Sequence, residues 1–104
     1  MTLPKIYQAP ELMSVNKTYS FSADIWAVGC LIYNMVTGIP PFYEKDDIAL
    51  GSLIKHGRYS GVFPEYDANA SDEMREIIAN MLSIDPRKRM KAEELINHPW
   101  IANA

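Results

Sequence analysis

Residues 22–38 read SADIWAVGCLIYNMVTG, and this stretch decides the fold. Ile25, Val28, Ile32, Met35 and Val36 recur at helical spacing, and Trp26, Cys30, Leu31 and Tyr33 fill most of the other side. The pattern predicts a helix over residues 22–37, apolar nearly all round. Such a helix is normally enclosed by the rest of the protein. Asp24 lies in its first turn, where a negative charge suits the helix dipole. Ser20 or Ser22 supplies the cap. Gly38 can take the left-handed conformation that ends a helix, and Pro40-Pro41 stops the chain from continuing it.

Working outward, the chain continues as further helices. Residues 46–55 form a weaker helix, capped by Asp46 or Asp47, with Ile48, Leu53 and Ile54 on its apolar side and Gly57 at its end. Residues 56–69 read as a loop broken by Gly61 and Pro64. The third helix starts at Ser71 with Asp72 and Glu73 in its first turn. Met74, Ile77, Ile78, Met81 and Leu82 make a full apolar stripe, the clearest amphipathic pattern in the chain. Residues 84–89 turn around Asp85-Pro86. A fourth helix covers residues 91–96, and Pro99 ends it. Lys91 stands where a cap would be and has no acceptor to offer, so this helix is expected to fray. Before the central helix, residues 3–12 read as a loop, because Pro4 and Pro10 lack amide donors and push their predecessors out of the helical region. Residues 16–22 form a polar connection with Tyr19 and Phe21. No segment alternates at period two. The expected fold is mostly α, about four helices around one buried apolar helix.

The 104 residues suffice for one domain with a modest core. Apolar residues make up 48% and charged residues 22%, a globular composition rather than a disordered one. A net charge of −3 argues against nucleic acid as the main ligand, since neutralising phosphates needs an excess of Lys and Arg. Cys30 has no second cysteine to pair with, and its apolar setting marks it as a small buried hydrophobe. The longest apolar stretch, residues 25–36, falls short of the roughly 20 residues a membrane span needs. The opening MTLPKIYQ lacks the order of a signal peptide, so the expected location is intracellular and cytoplasmic. Asp46-Asp47 reads as a helix cap rather than a magnesium site. His56 and His98 have no partner at ligand spacing, and no metal site is expected.

Ala9-Pro10-Glu11 is followed by Asp24-Ile-Trp-Ala-Val-Gly29, then Gly38-Ile-Pro-Pro-Phe42, Met81-Leu-Ser-Ile-Asp-Pro-Arg-Lys-Arg89 and His98-Pro-Trp100. In that order and spacing the set resembles the C-terminal half of a eukaryotic protein kinase catalytic domain. Any one of these motifs is weak; together they cover essentially the whole chain. The resemblance implies a structural ion pair between Glu11 and Arg89. It implies that Asp24 anchors the backbone of a catalytic loop. It also implies that Leu3, Pro4 and Tyr7, just before Ala-Pro-Glu, belong to a loop that binds the protein substrate. Leu3-Pro4 looks like tyrosine kinases. Gly38-Ile-Pro-Pro-Phe and His98-Pro-Trp look like serine/threonine kinases of the calmodulin-dependent, polo-like and NIMA-related groups. The longer stretch favours serine/threonine.

Of the kinase signature set, the Gly-rich phosphate loop, the Val-Ala-Ile-Lys lysine, the His-Arg-Asp catalytic loop and the Asp-Phe-Gly segment do not occur in residues 1–104. Phosphoryl transfer needs those groups. The resemblance therefore implies part of a kinase domain, residues 1–104, without the N-lobe, catalytic loop or Asp-Phe-Gly segment. ATP and Mg²⁺ would be bound by the parent domain and not by this chain. The expected partners are a protein substrate and the N-terminal portion of the kinase, with self-association through uncovered apolar surface, where Trp26 or Ile25 is expected to lie partly open. The alternative is a stand-alone, non-catalytic docking or regulatory module built on the same scaffold, with the helix over residues 46–55 and the loop after it as its surface.

Overall fold

The computed structural model describes residues 4–13, 20–60 and 71–98. Among them every regular element is helical: α1 (Phe21–Thr37), α2 (Asp47–His56), α3 (Asp72–Met81) and the short α4 (Ala92–Ile96), with 3-10 helices at Lys5–Tyr7, Pro10–Met13 and Pro86–Lys88. The expectations that rest on Leu3, Tyr19, Gly61, Pro64, Pro99 and Trp100 lie outside the described residues.

Each helix end has a local cause. The carbonyl of Ser20 accepts the Ala23 N–H at 3.0 Å, while its hydroxyl lies 2.7 Å from that of Ser22 rather than capping. Gly38 ends α1 at φ 83° and donates its N–H to the Asn34 carbonyl at 2.8 Å. A side chain rarely tolerates that conformation, which is why glycine stands there. Asp46 caps α2 by accepting the Ala49 N–H at 2.9 Å, and Ser71 caps α3 by accepting the Met74 N–H at 3.2 Å. Asp85 caps the Pro86–Lys88 turn by accepting the Arg87 N–H at 2.9 Å. The side-chain hydrogen bond from Arg87 holds the Asp85 carboxyl below the usual carboxylate range.

Two local expectations need correction. The stretch read as loop over residues 3–12 carries two 3-10 helices, Lys5–Tyr7 and Pro10–Met13. Pro4 stands just before the first and Pro10 opens the second, positions where a missing N–H costs nothing. At α4 the backbone N–H of Lys91 donates to Glu94 Oε1 at 3.2 Å. That is half of a capping box, the half that does not require an acceptor on the cap residue. The expected fraying is offset on this side, and the helix is five residues long.

The larger correction concerns α1. It packs mainly against α3, and its buried residues are Ala23, Ile25, Trp26, Ala27, Gly29, Cys30 and Tyr33. Trp26 is fully buried and Ile25 is 3% exposed, so neither lies open as expected. The open face is instead Val28, Leu31 and Met35, the last 83% exposed. Ile25 is closed in by Ile77 and Met81 of α3. Trp26, Cys30 and Tyr33 are closed in by Phe42 and by Leu50 and Ile54 of α2. Gly29 allows the approach of α3: a Cβ there would stand 2.8 Å from Met81 Cβ and 3.2 Å from Leu82 Cδ2.

Cys30 sits in this core with no exposed surface. Burial pushes its thiol up from the ordinary 9.0 to about 12, with the positive charge of Arg89 pulling weakly the other way. The thiolate is the reactive form. A thiol-directed disulfide reagent at neutral pH is therefore expected to label the native chain at least roughly a hundredfold more slowly than the urea-unfolded chain. Because the folded value is raised, the contribution of Cys30 to stability is complete below pH 9.0 and is lost as pH rises toward about 12. Equal labelling rates for native and unfolded chain would show that Cys30 is not enclosed.

Candidate substrate-facing site

Glu11 sits in the Pro10–Met13 turn and Arg89 just after the Pro86–Lys88 turn, 78 positions later. The structure brings them together. Glu11 Oε2 accepts from Arg89 Nη1 at 2.6 Å and Oε1 accepts from Nη2 at 2.8 Å, a bidentate pair. The planar guanidinium fork matches a carboxylate in this way, which a lysine could not do. The Arg89 side chain has no exposed surface and that of Glu11 is 19% exposed.

The remaining donors of Arg89 are also committed. Nε donates to the Ser83 carbonyl at 2.9 Å, Nη1 to the Ser22 carbonyl at 3.0 Å and Nη2 to the Ile84 carbonyl at 3.4 Å. All five N–H groups of the guanidinium thus have acceptors. Its face lies 5.0 Å from the centroid of the Trp26 ring, within cation–π range. Arg89 is the one buried charged residue among the described residues. It joins the Pro10–Met13 turn, the start of α1 and the segment after α3. The sequence reading found the Glu11–Arg89 pair through resemblance. It missed the three carbonyls and the Trp26 face, because backbone acceptors leave no mark in a sequence.

The segment ahead of Ala9 is held from two more sides. Lys5 Nζ donates to the Asp47 carbonyl of α2 at 3.0 Å. Asn34 Nδ2 of α1 donates to the Tyr7 hydroxyl at 3.4 Å. Pro4 is exposed, its carbonyl accepting the Tyr7 N–H at 2.9 Å, and Tyr7 is half-buried. Leu3 lies outside the described residues. Ala9 is completely buried, so the base of this segment is pinned in the core while Pro4 faces solvent.

Asp24 is half-buried in the first turn of α1. Its spacing of four, seven and eleven residues from Val28, Leu31 and Met35 places it on the same helix face as the open apolar stripe. The expected anchor and the uncovered surface therefore share one face.

A cavity of about 440 Å³ lies between the Lys5 segment and α2. The sequence reading named α2 as a docking surface but identified neither Lys5 nor Gly51 in it. Asp46 and Asp47 cap and open α2, and no group of three His, Cys, Asp or Glu suited to a metal is found among the described residues. No helix among the described residues is long and apolar enough to cross a membrane.

The geometry defines a helical scaffold whose buried Arg89 clamps the Ala-Pro-Glu turn to α1 and to the segment after α3. The protein kinase domain family matches residues 2–101. The chain belongs to the protein kinase family. It is 39% identical over 97 residues to serine/threonine-protein kinase DCLK3 of Mus musculus, an alignment covering 91% of this chain and 12% of that protein. It is 40% identical over 95 residues to the calcium/calmodulin-dependent protein kinase type II alpha chain of Drosophila melanogaster, covering 91% of this chain and 18% of the relative. To serine/threonine-protein kinase srk1 of Schizosaccharomyces pombe it is 34% identical over 98 residues, covering 94% and 17%. The chain spans less than a fifth of the length of these relatives. It is a protein kinase domain fragment with serine/threonine kinase relatives.

Proposed function

We propose that residues 1–104 form the substrate-facing C-terminal part of a serine/threonine kinase catalytic domain. The loop of Leu3, Pro4 and Tyr7 receives the protein substrate. The ATP- and Mg²⁺-binding groups and the catalytic aspartate come from sequence outside these residues. The single observation that carries this reading is the Glu11–Arg89 clamp: a saturated, buried arginine fixes the base of the loop while Pro4 stays open to solvent. Such fixing lowers the ordering cost of binding an extended peptide. The open stripe of α1 supports the same reading, because Asp24 heads a face on which a further segment of the kinase can pack. In isolation that stripe is a self-association surface.

The residues present do not fit nucleotide and magnesium. The lysine, aspartates and asparagine that hold them in the family have no counterpart in this sequence, and no step of phosphoryl transfer is assigned to this chain. The test is direct. Incubated with Mg²⁺ and labelled ATP, the purified chain is expected to transfer no phosphate to a serine-containing peptide. In amide NMR spectra the same peptide is expected to shift Ile6, Tyr7 and Gln8. Transfer by this chain alone would overturn the reading, and so would a peptide that leaves those amides unmoved.

The second reading is a non-catalytic docking module, favoured by the cavity against α2. It predicts a partner bound on α2 with no requirement for the loop at Pro4.

A further inference from the structure

Asn80 lies in the last turn of α3 and is half-buried. Asparagine is a weak helix former, because its side chain competes for backbone groups. The helix pattern gives no reason for it here, since the buried residues of α3 are Ile77, Ile78 and Met81. Its carboxamide is directed instead at the chain further on. Oδ1 accepts the Met90 N–H at 2.7 Å, and Nδ2 donates to the Lys88 carbonyl at 3.2 Å. The residue between those two groups is Arg89.

The geometry suits an asparagine. Arg89 is extended, with φ −74° and ψ 142°. At an extended residue the preceding carbonyl and the following N–H lie on the same edge of the backbone. A carboxamide carries an acceptor and a donor side by side, and so meets both groups at once, as a neighbouring strand would. Aspartate offers no donor, and leucine, of similar size, offers neither group. Asn80 thus holds the backbone on both sides of Arg89. The guanidinium in turn donates to the carbonyls of Ser83 and Ile84, so the loop after α3 is closed from both of its ends. With its base fixed in this way, the long Arg89 side chain loses less freedom on taking up its bidentate geometry with Glu11.

We propose that Asn80 is a positioning residue of the substrate-facing site. By fixing the backbone around Arg89 it sets the guanidinium against Glu11, and through that pair it orders residues 5–13. The ordering follows from the clamp alone. Its consequence for peptide affinity rests on the reading of the Pro4–Tyr7 segment as the one that receives the substrate.

The test uses the whole chain with Asn80→Leu and Asn80→Asp. Asn80→Leu removes both bonds, whereas Asn80→Asp keeps the acceptor for Met90 and loses the donor to Lys88. In NMR spectra of the parent the Arg89 Nε–H is expected to exchange slowly with solvent, because the side chain is buried and Nε donates to the Ser83 carbonyl. Asn80→Leu is expected to speed that exchange, and to speed amide exchange over residues 5–13 at least about threefold. Asn80→Asp is expected to give a smaller change of the same sign. In a Glu11→Gln background, where the pair is already weakened, Asn80→Leu is expected to add little in residues 5–13. A serine-containing peptide is expected to bind Asn80→Leu at least about threefold more weakly than the parent. The proposal is overturned if Asn80→Leu leaves either the Arg89 Nε–H or the amides of residues 5–13 at the parent's rates, whatever it does to the melting temperature. Asn80 would then close the loop after α3 without acting on the clamp. It is also overturned if the full acceleration persists in Glu11→Gln, since Asn80 would then act by another route. A parent chain that binds no peptide removes the substrate reading of the loop, and the exchange rates still decide the role of Asn80. Should Asn80→Leu fail to fold, Asn80→Asp supports the same comparisons.

Discussion

Arg89→Ala is expected to lower the melting temperature of the chain by roughly 12–40 °C. Removing one partner of a buried ion pair typically costs about 3–5 kcal/mol, because the other charge is left in a poorly solvated site. For a domain of this size each kcal/mol corresponds to about 4–8 °C. The 19% exposure of the Glu11 side chain places the cost toward the lower end, since water can reach the stranded carboxylate. The carbonyls of Ser83, Ser22 and Ile84 lose their guanidinium donors in the same substitution, which pushes the other way. The loss should also be local in character. Amides of residues 5–13 are expected to exchange faster with solvent, since the Pro10–Met13 turn is tied to the rest of the protein through Glu11. A double variant, Glu11→Leu with Arg89→Met, separates the contributions. It removes both charges together, so any recovery relative to Arg89→Ala measures the stranded carboxylate, and the remaining deficit measures the three carbonyls. A melting shift below about 4 °C with unchanged exchange in residues 5–13 would show that the pair does not hold the loop.

What the sequence discloses and what it hides can be seen in the same residues. The extent of α3 is readable because Ser71, the acidic first turn and the stripe from Met74 to Met81 all agree, and the structure places the helix at Asp72–Met81 with Ser71 as its cap. The extent of α1 is readable for the same reason. Which side of α1 stays open is not. Ile25, Trp26, Val28, Leu31 and Met35 are all apolar, and periodicity does not distinguish the face met by α3 from the face met by solvent. Contact with α3 decides it, through the close approach at Gly29, and that is a fact of tertiary packing. Glu11 and Arg89 lie 78 positions apart, a separation at which no local rule operates; family resemblance linked them. The cavity between the Lys5 segment and α2 was illegible for a related reason. Its two walls come from segments more than thirty positions apart, and a helix glycine by itself says only that a side chain is absent.

Trp26→Ala is expected to cost about 3–5 kcal/mol, a large share of the total stability of a domain of this size. Trp26 is fully buried, and its ring stacks on Phe42 with centroids 5.6 Å apart and planes 10° from parallel. Phe42 meets the edge of Tyr59 at 5.1 Å, and Tyr59 meets Tyr33 edge-on at 5.7 Å, so the ring begins an aromatic chain across the core. Its other neighbour is the Arg89 guanidinium. Alanine would open a cavity between the core and the clamp, and both would lose a packing surface. Trp26→Phe is the informative control. The indole Nε1 is buried and finds no hydrogen-bond partner among the described residues, so the N–H that phenylalanine lacks is not one the fold uses. An orphaned buried donor is itself costly, about 1–3 kcal/mol, and its removal offsets part of the lost ring area. Urea unfolding followed by circular dichroism should therefore rank Trp26→Phe within about 2 kcal/mol of the parent and Trp26→Ala well below it. If phenylalanine costs as much as alanine, the indole N–H has an acceptor after all. If neither costs more than about 1 kcal/mol, the ring is not the packing surface on which Arg89 rests.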